Sequence, residues 1–107
     1  MNIGVDIEEV KRFSKFVKDE QYLKKVFSDN EIEYSIPKAN PAQHLAARFA
    51  AKEAVWKALS AKNKKLLITD ISIKNSKDGK PIIYIKGKKS SRIDVSLSHT
   101  KNYVVAA

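Results

Sequence analysis

The stretch Ala47 to Leu59 reads ARFAAKEAVWKAL. Five alanines and a terminal leucine make it a strong helix former. Yet it carries charge at Arg48, Lys52, Glu53 and Lys57. At about 100° per residue, Glu53 and Lys57 lie about 40° apart, flanked by Phe49 and Ala50. Arg48 and Lys52 share a different face with Val55 and Leu59. The order Glu53 to Lys57 at (i, i+4) is that of a helix ion pair, worth roughly 0.2–0.5 kcal/mol. Arg48 and Lys52 are like charges at the same spacing, which is unfavourable by a similar amount. A phosphate or carboxylate between them would relieve it.

Working outward, Pro41 is well placed to open this helix, which is predicted to run to about Ser60. Upstream, Asn2 to Val5 reads as a short strand. Ile7 to Lys18 has apolar residues at Ile7, Val10, Phe13, Phe16 and Val17, which is helical spacing. Tyr22, Leu23, Val26 and Phe27 predict a second short helix, and Ser28 with Glu31 fits a capping box that opens a third. Downstream, Leu66 to Lys74 and Pro81 to Lys86 are isoleucine-rich runs separated by NSKDGK, with Asp78-Gly79 as a hairpin signal. Ile93 to His99 alternates, with Val95, Leu97 and His99 on one side. Tyr103 to Ala106 reads as a final strand paired back after a turn at 100–102. Helices precede strands, so the expected class is α+β with N-terminal helices on a small antiparallel sheet, in one domain spanning 1–107.

Composition narrows the chemistry. Cysteine is absent from the 107 residues, so disulfides, thiolate nucleophiles and cysteine zinc sites are excluded. No apolar run approaches the length of a membrane span, and Asp6, Glu8 and Glu9 stand where a signal peptide would be basic; the expected compartment is the cytoplasm. Twenty-one Lys and Arg against twelve Asp and Glu leave a formal charge of +9, which attracts polyanions. Only Arg12, Arg48 and Arg92 are arginines, so the basicity is general steering, not base-edge readout.

Four short constellations could carry function. In Gly4-Val5-Asp6, glycine permits close backbone approach and the aspartate offers a carboxylate to a hard cation; it could equally cap a following helix. Glu53 and Lys57 pair a carboxylate with an ammonium. Asp78-Gly79-Lys80-Pro81 makes a turn. Ser98-His99-Thr100 puts a histidine at a strand end, where it is either a core residue or a cleft residue; nothing around Ser98 resembles a nucleophile elbow.

Taken in order, GxD, RFAAKEAxxKAL, DGKP and SHT resemble the holo-acyl-carrier-protein synthase family of 4′-phosphopantetheinyl transferases, over Ile3 to Ala106. The resemblance implies an enzyme that moves the phosphopantetheine arm of coenzyme A onto a serine of acyl carrier protein for fatty acid biosynthesis, releasing 3′,5′-ADP. It implies Mg²⁺ held by Asp6 and Glu53 against the coenzyme A pyrophosphate. Glu53, directly or through a metal-bound water, is the candidate base, and Lys57 stabilises the leaving phosphate. By the same resemblance Arg48 reaches the 3′-phosphate with help from His99 and Thr100, and the turn of Gly79, Lys80 and Pro81 lies near the adenine. The helix after GxD implies the docking surface for the acidic carrier protein, with Arg12 foremost, then Lys15 and Phe16. A single-copy chain implies a homotrimer with sites at subunit boundaries.

The chain departs from the pattern after KAL. Similar proteins commonly carry a glycine-rich GTGIG-like loop there, whereas Ser60 to Lys65 contains no glycine. Asn40 stands where a second basic residue is common. Two other readings fit the composition: a nonspecific nucleic-acid binder, with steep salt dependence and no Mg²⁺ need, and a degenerate family member that binds without turnover. The first leaves unexplained why a basic protein places Asp6 and Glu53 where they would repel phosphate.

Overall fold

The computed structural model describes residues 2–107. Its centre is the helix read from ARFAAKEAVWKAL: α4, Pro41–Leu59, opens on Pro41 as expected. Leu45, Ala46, Ala50, Ala51, Ala54 and Val55 are buried along it, as are Arg48 and Lys52. A helix buried round most of its circumference has no single clean face, and small alanines let its neighbours approach from several sides. Gly4 is the extreme case. A Cβ built there would lie 1.8 Å from the backbone oxygen of Ala54. The glycine of GxD therefore serves close packing on α4 and delivers Asp6 beside it.

Three short helices cover one flank: α1, Lys11–Ser14, α2, Glu20–Val26, and α3, Asp29–Ser35. Ser28 and Glu31 form the expected capping box: the Ser28 amide donates to Glu31 Oε1 at 2.8 Å and the Glu31 amide to Ser28 Oγ at 3.3 Å. The strands form two three-stranded antiparallel sheets instead of the single sheet expected. One holds β2, Ile71–Asn75, β3, Pro81–Ile85, and the two-residue β4, Lys88–Lys89, in the order β2-β3-β4. Ile73 opposite Ile83 and Ile71 opposite Ile85 bury this sheet against α4.

The other sheet corrects the reading of the amino terminus. Its order is β1-β6-β5, with β1 at Asp6–Glu9, β5 at Leu97–His99 and β6 at Tyr103–Ala106. The opening strand thus begins at Asp6, not Asn2, and the helix expected from Ile7 to Lys18 contracts to α1. Spacing of 7, 10, 13 suits a helix, but Ile7 pairs with Val105 and Glu8 with Val104 in an antiparallel ladder. Phe13, fully buried, keeps the role the helical reading gave it, and Val10, Phe16 and Val17 pack partly buried against the core. The expected strand 93–99 pairs regularly only from Leu97, while Ser96 exchanges two backbone bonds with Ala107. Ile93, Val95 and Leu97 still lean on the core, as their alternation requires.

Candidate active site

Strand periodicity puts Asp6 and Glu8 on one face of β1, the face turned to α4. Lys57, in the last turn of α4, bridges to this edge: its Nζ donates to Asp6 Oδ1 at 3.0 Å and to the Val5 carbonyl at 3.1 Å. The (i, i+4) bridge from Glu53 to Lys57 is not made; the lysine goes across to Asp6 instead. Asp6 is therefore no helix cap. Its second oxygen, Oδ2, is buried and has no hydrogen-bond partner among the described residues.

The electrostatics mark the same place. Burial, then the neighbouring Asp6, pushes the Glu8 carboxyl up to about 7, with Glu53 adding to the rise and Arg12 opposing it. Burial, then the charge of Asp6, likewise raises Glu53, while Lys57 and Arg12 work the other way. Lys57 is raised by its hydrogen bond to Asp6. Three carboxylates crowd an edge where two cations do not neutralise them. Among the described residues no group of three or more His, Asp or Glu side chains is arranged as a closed metal cage. A Mg²⁺ ion held largely by substrate phosphate and water needs no such cage, only one or two carboxylates. Asp6, with its buried and unpartnered Oδ2, and Glu53 fit that need.

Arg48 and Lys52 are the second group, and each like charge has found its own partner. Lys52 is fully buried. Its Nζ donates to Glu31 Oε1 at 2.9 Å and to the Val26 carbonyl at 2.7 Å. Arg48 is 3% exposed and held by partners within its own chain. One of its terminal nitrogens donates to Asn75 Oδ1 and the other to the His44 carbonyl at 3.2 Å. Its guanidinium lies 4.4 Å from the centre of the Tyr34 ring, and its Nε–H is buried without a partner.

Asn75 then links Arg48 to the expected turn, because its amide nitrogen donates to the Gly79 carbonyl at 3.1 Å. Gly79 has φ +87°, a left-handed conformation that glycine adopts without strain. Pro81 starts β3, and the Lys80 side chain makes an exposed 3.8 Å contact with Asp94. His99 is not a core residue. It is exposed at the end of β5, and its Nδ1 lies 2.6 Å from Gln43 Nε2 at the start of α4. Thr100 holds the following turn, its Oγ1 accepting from the amides of Asn102 and Tyr103. Burial, then the charges of Arg48, Lys38 and His99, lowers the pKa of His44. This flank is electropositive, which suits an anionic ligand.

The docking stretch is broken into two helices, since turns separate α1 from α2. Phe13 belongs to the core. Phe16 is half-buried, stacked on Tyr22 with ring centres 3.6 Å apart, and Lys15 is exposed above it. Arg12 keeps 52% of its side chain exposed while Nη1 donates to Glu8 Oε1 at 2.6 Å. Sequence reasoning missed Glu8, Asn75, His44 and Gln43. For Glu8 the available signal was period 2 from Asp6, which a helical reading conceals.

Known proteins resemble this chain over nearly its whole length. The family model described as the 4′-phosphopantetheinyl transferase superfamily matches residues 2–107. A holo-acyl-carrier-protein synthase of Thermodesulfovibrio yellowstonii is 49% identical over 106 residues, covering 97% of this chain and 92% of that protein. The crystal structure of a holo-acyl-carrier-protein synthase from Bacillus anthracis in complex with coenzyme A (3′,5′-ADP) superposes with a TM-score of 0.79 at 31% identity, covering 98% of this chain and 90% of that one. The Helicobacter pylori synthase in complex with coenzyme A gives 0.76 at 30% identity, covering 97% and 95%. The chain belongs to the holo-acyl-carrier-protein synthase family of the 4′-phosphopantetheinyl transferase superfamily.

Proposed function

We propose that this chain transfers the 4′-phosphopantetheine group of coenzyme A to a serine of apo acyl carrier protein, for fatty acid biosynthesis, with release of 3′,5′-ADP. The observation that carries the reading is the Asp6, Glu53 and Lys57 edge with its unpartnered Asp6 Oδ2. In the reaction, a bond forms between the serine oxygen and the β-phosphorus. The bond from that phosphorus to the bridging oxygen of 3′,5′-ADP breaks. Glu53 takes the serine proton as general base. Lys57 lies within reach of Asp6 and turns to the departing phosphate when substrate enters. Asp6 and Glu53 would hold Mg²⁺, which would supply charge neutralisation to the pyrophosphate. Arg48, His99, Thr100 and the Gly79 to Pro81 turn bind the nucleotide end, and Arg12, Lys15 and Phe16 receive the acidic carrier protein.

Two features favour a homo-oligomer, for which a trimer is our proposal. Arg48 lies about 140° round α4 from Glu53, so the two ends of one coenzyme A meet different flanks of the helix. A neighbour's copy would bring them together. In addition, Ile7, Tyr103 and Val105 form an apolar outer face on the β1-β6-β5 sheet, continued by the exposed Ile3 and Val5. Such a face marks an interaction surface. No helix is long and apolar enough to cross a membrane among the described residues, and the absence of cysteine suits the cytoplasm we propose.

The test is to incubate the protein with apo acyl carrier protein, coenzyme A and Mg²⁺, with an EDTA control, and weigh the carrier protein by mass spectrometry. A cation-dependent gain of one phosphopantetheine is expected. No gain with folded protein across several carrier proteins would overturn the proposal in favour of a binding-only role.

A further inference from the structure

Glu8 has no part in the reaction as described, yet it is the best-buried carboxylate of the edge at 8% exposure. It stands on the same face of β1 as Asp6, two residues along, and faces α4. Its counter-charge is unusual. Arg12 is the foremost docking residue, and its Nη1 donates to Glu8 Oε1 at 2.6 Å. The guanidinium is laid on an aromatic floor, 5.4 Å from the centre of the Phe13 ring and 5.5 Å from that of Phe49. Half of its surface remains open to a partner. So one cation serves two clients: the acidic protein that docks from outside and the carboxylate behind it.

We infer that Glu8 is a positioning residue that couples carrier-protein docking on Arg12 to divalent-cation binding at Asp6 and Glu53, each favouring the other. This rests on the functional reading above. An acidic partner that claims Arg12 must draw it from Glu8. The edge of Asp6, Glu8 and Glu53 thereby loses a positive charge that faced it and is left more negative. A more negative edge holds a divalent cation more tightly, and in a site with low exposure the change is poorly screened. Run backwards, a cation on this edge competes with Arg12 for Glu8 and frees the arginine for its partner. Linkage requires the two effects to be equal in size.

The experiment measures Mn²⁺ affinity by electron paramagnetic resonance on the full chain with coenzyme A. It is done alone and with saturating carrier protein whose acceptor serine is replaced by alanine, so that no transfer occurs. The wild type should bind Mn²⁺ at least about fivefold more tightly with carrier protein, the lower end of ordinary couplings. Glu8→Gln should bring that ratio to one. Lys15→Gln removes a positive charge from the docking surface, as withdrawal of Arg12 does, without touching Glu8, and should keep the ratio. If Glu8→Gln does not fold, Arg12→Gln reports instead: it should raise Mn²⁺ affinity of the carrier-free protein by the same factor. A ratio of one in the wild type, with both ligands bound, overturns the coupling while leaving the function intact. So does a full ratio in Glu8→Gln or an unchanged affinity in Arg12→Gln. Failure of the carrier protein to bind, or of the serine-bearing carrier to be modified, sinks the functional reading instead.

Discussion

At the scale of single residues, the site depends on carboxylates kept where water is scarce. Glu53→Gln keeps the shape and removes both a cation ligand and a base. Turnover should fall by roughly 10²–10⁴, the usual contribution of a positioned base, with an unchanged circular dichroism spectrum. Wild-type-like turnover in that variant would remove Glu53 from the mechanism. The same carboxylates make a pH prediction. Glu8 is raised from 4.5 to about 7, and Glu53 moves in the same direction. Between those values the folded chain keeps a proton that the unfolded chain has released, so this contribution to stability is full below about 4.5 and is lost as pH rises through 7. In EDTA the thermal midpoint should therefore drop by several degrees from pH 5 to 7.5; about 1 kcal/mol corresponds to roughly 4–8 °C in a domain of this size. Added Mg²⁺ binds the deprotonated carboxylates and should flatten the slope. A midpoint that is indifferent to both pH and Mg²⁺ would show that the edge is not electrostatically frustrated.

At the scale of elements, α4 explains the charges that made its sequence hard to read. Lys52 and Glu31 tie α4 to α3, and Glu31 Oε2 also accepts from the buried amide of Ile73 on β2 at 2.8 Å. Lys52→Met leaves that carboxylate buried without its ammonium and should destabilise the fold by about 3–5 kcal/mol in urea denaturation. Adding Glu31→Leu should recover only part of this. The Ile73 and Ser28 amides lose their acceptor, at about 1–3 kcal/mol for a buried donor. Full recovery in the double variant would reduce Glu31 to a counter-ion. This network shows where sequence reading stops. Pro41, the alanine run and Ser28 with Glu31 were legible because they act within a few residues. The partner of Lys52 was not, because Glu31 had already been given a local role and its second task lies across the fold. β1 was misread for a related reason: apolar residues at 7, 10 and 13 satisfy a helix locally, and only pairing with Tyr103–Ala106, nearly the full chain away, makes Asp6–Glu9 a strand. Glu8 and its bond to Arg12 were hidden by the same error. Asp6, Glu53 and Lys57 were legible as candidates by motif, while their mutual placement needed the ladder.

At the scale of the whole molecule, the question is whether one chain holds a complete site. Asp6, Glu53 and Lys57 gather on one side of α4, and Arg48, Asn75, His44 and the Gly79 turn on another. The outer face of the β1-β6-β5 sheet is where a neighbour would be received. Val105 is 37% exposed there, opposite Ile7 at 62%. Val105→Asp adds a charge to the centre of that face, yet its side chain points away from α4 and from every proposed site residue. A charge desolvated in an interface is unfavourable by several kcal/mol, whereas the same charge in water is nearly harmless. The variant should therefore remain folded and become monomeric by sedimentation velocity. If the site is shared between copies, the monomer should also lose transferase activity in proportion to its dissociation, and raising its concentration should restore both together. A folded monomer with full activity would place the whole site within one chain and require Arg48 and Glu53 to serve a single coenzyme A from opposite flanks of α4.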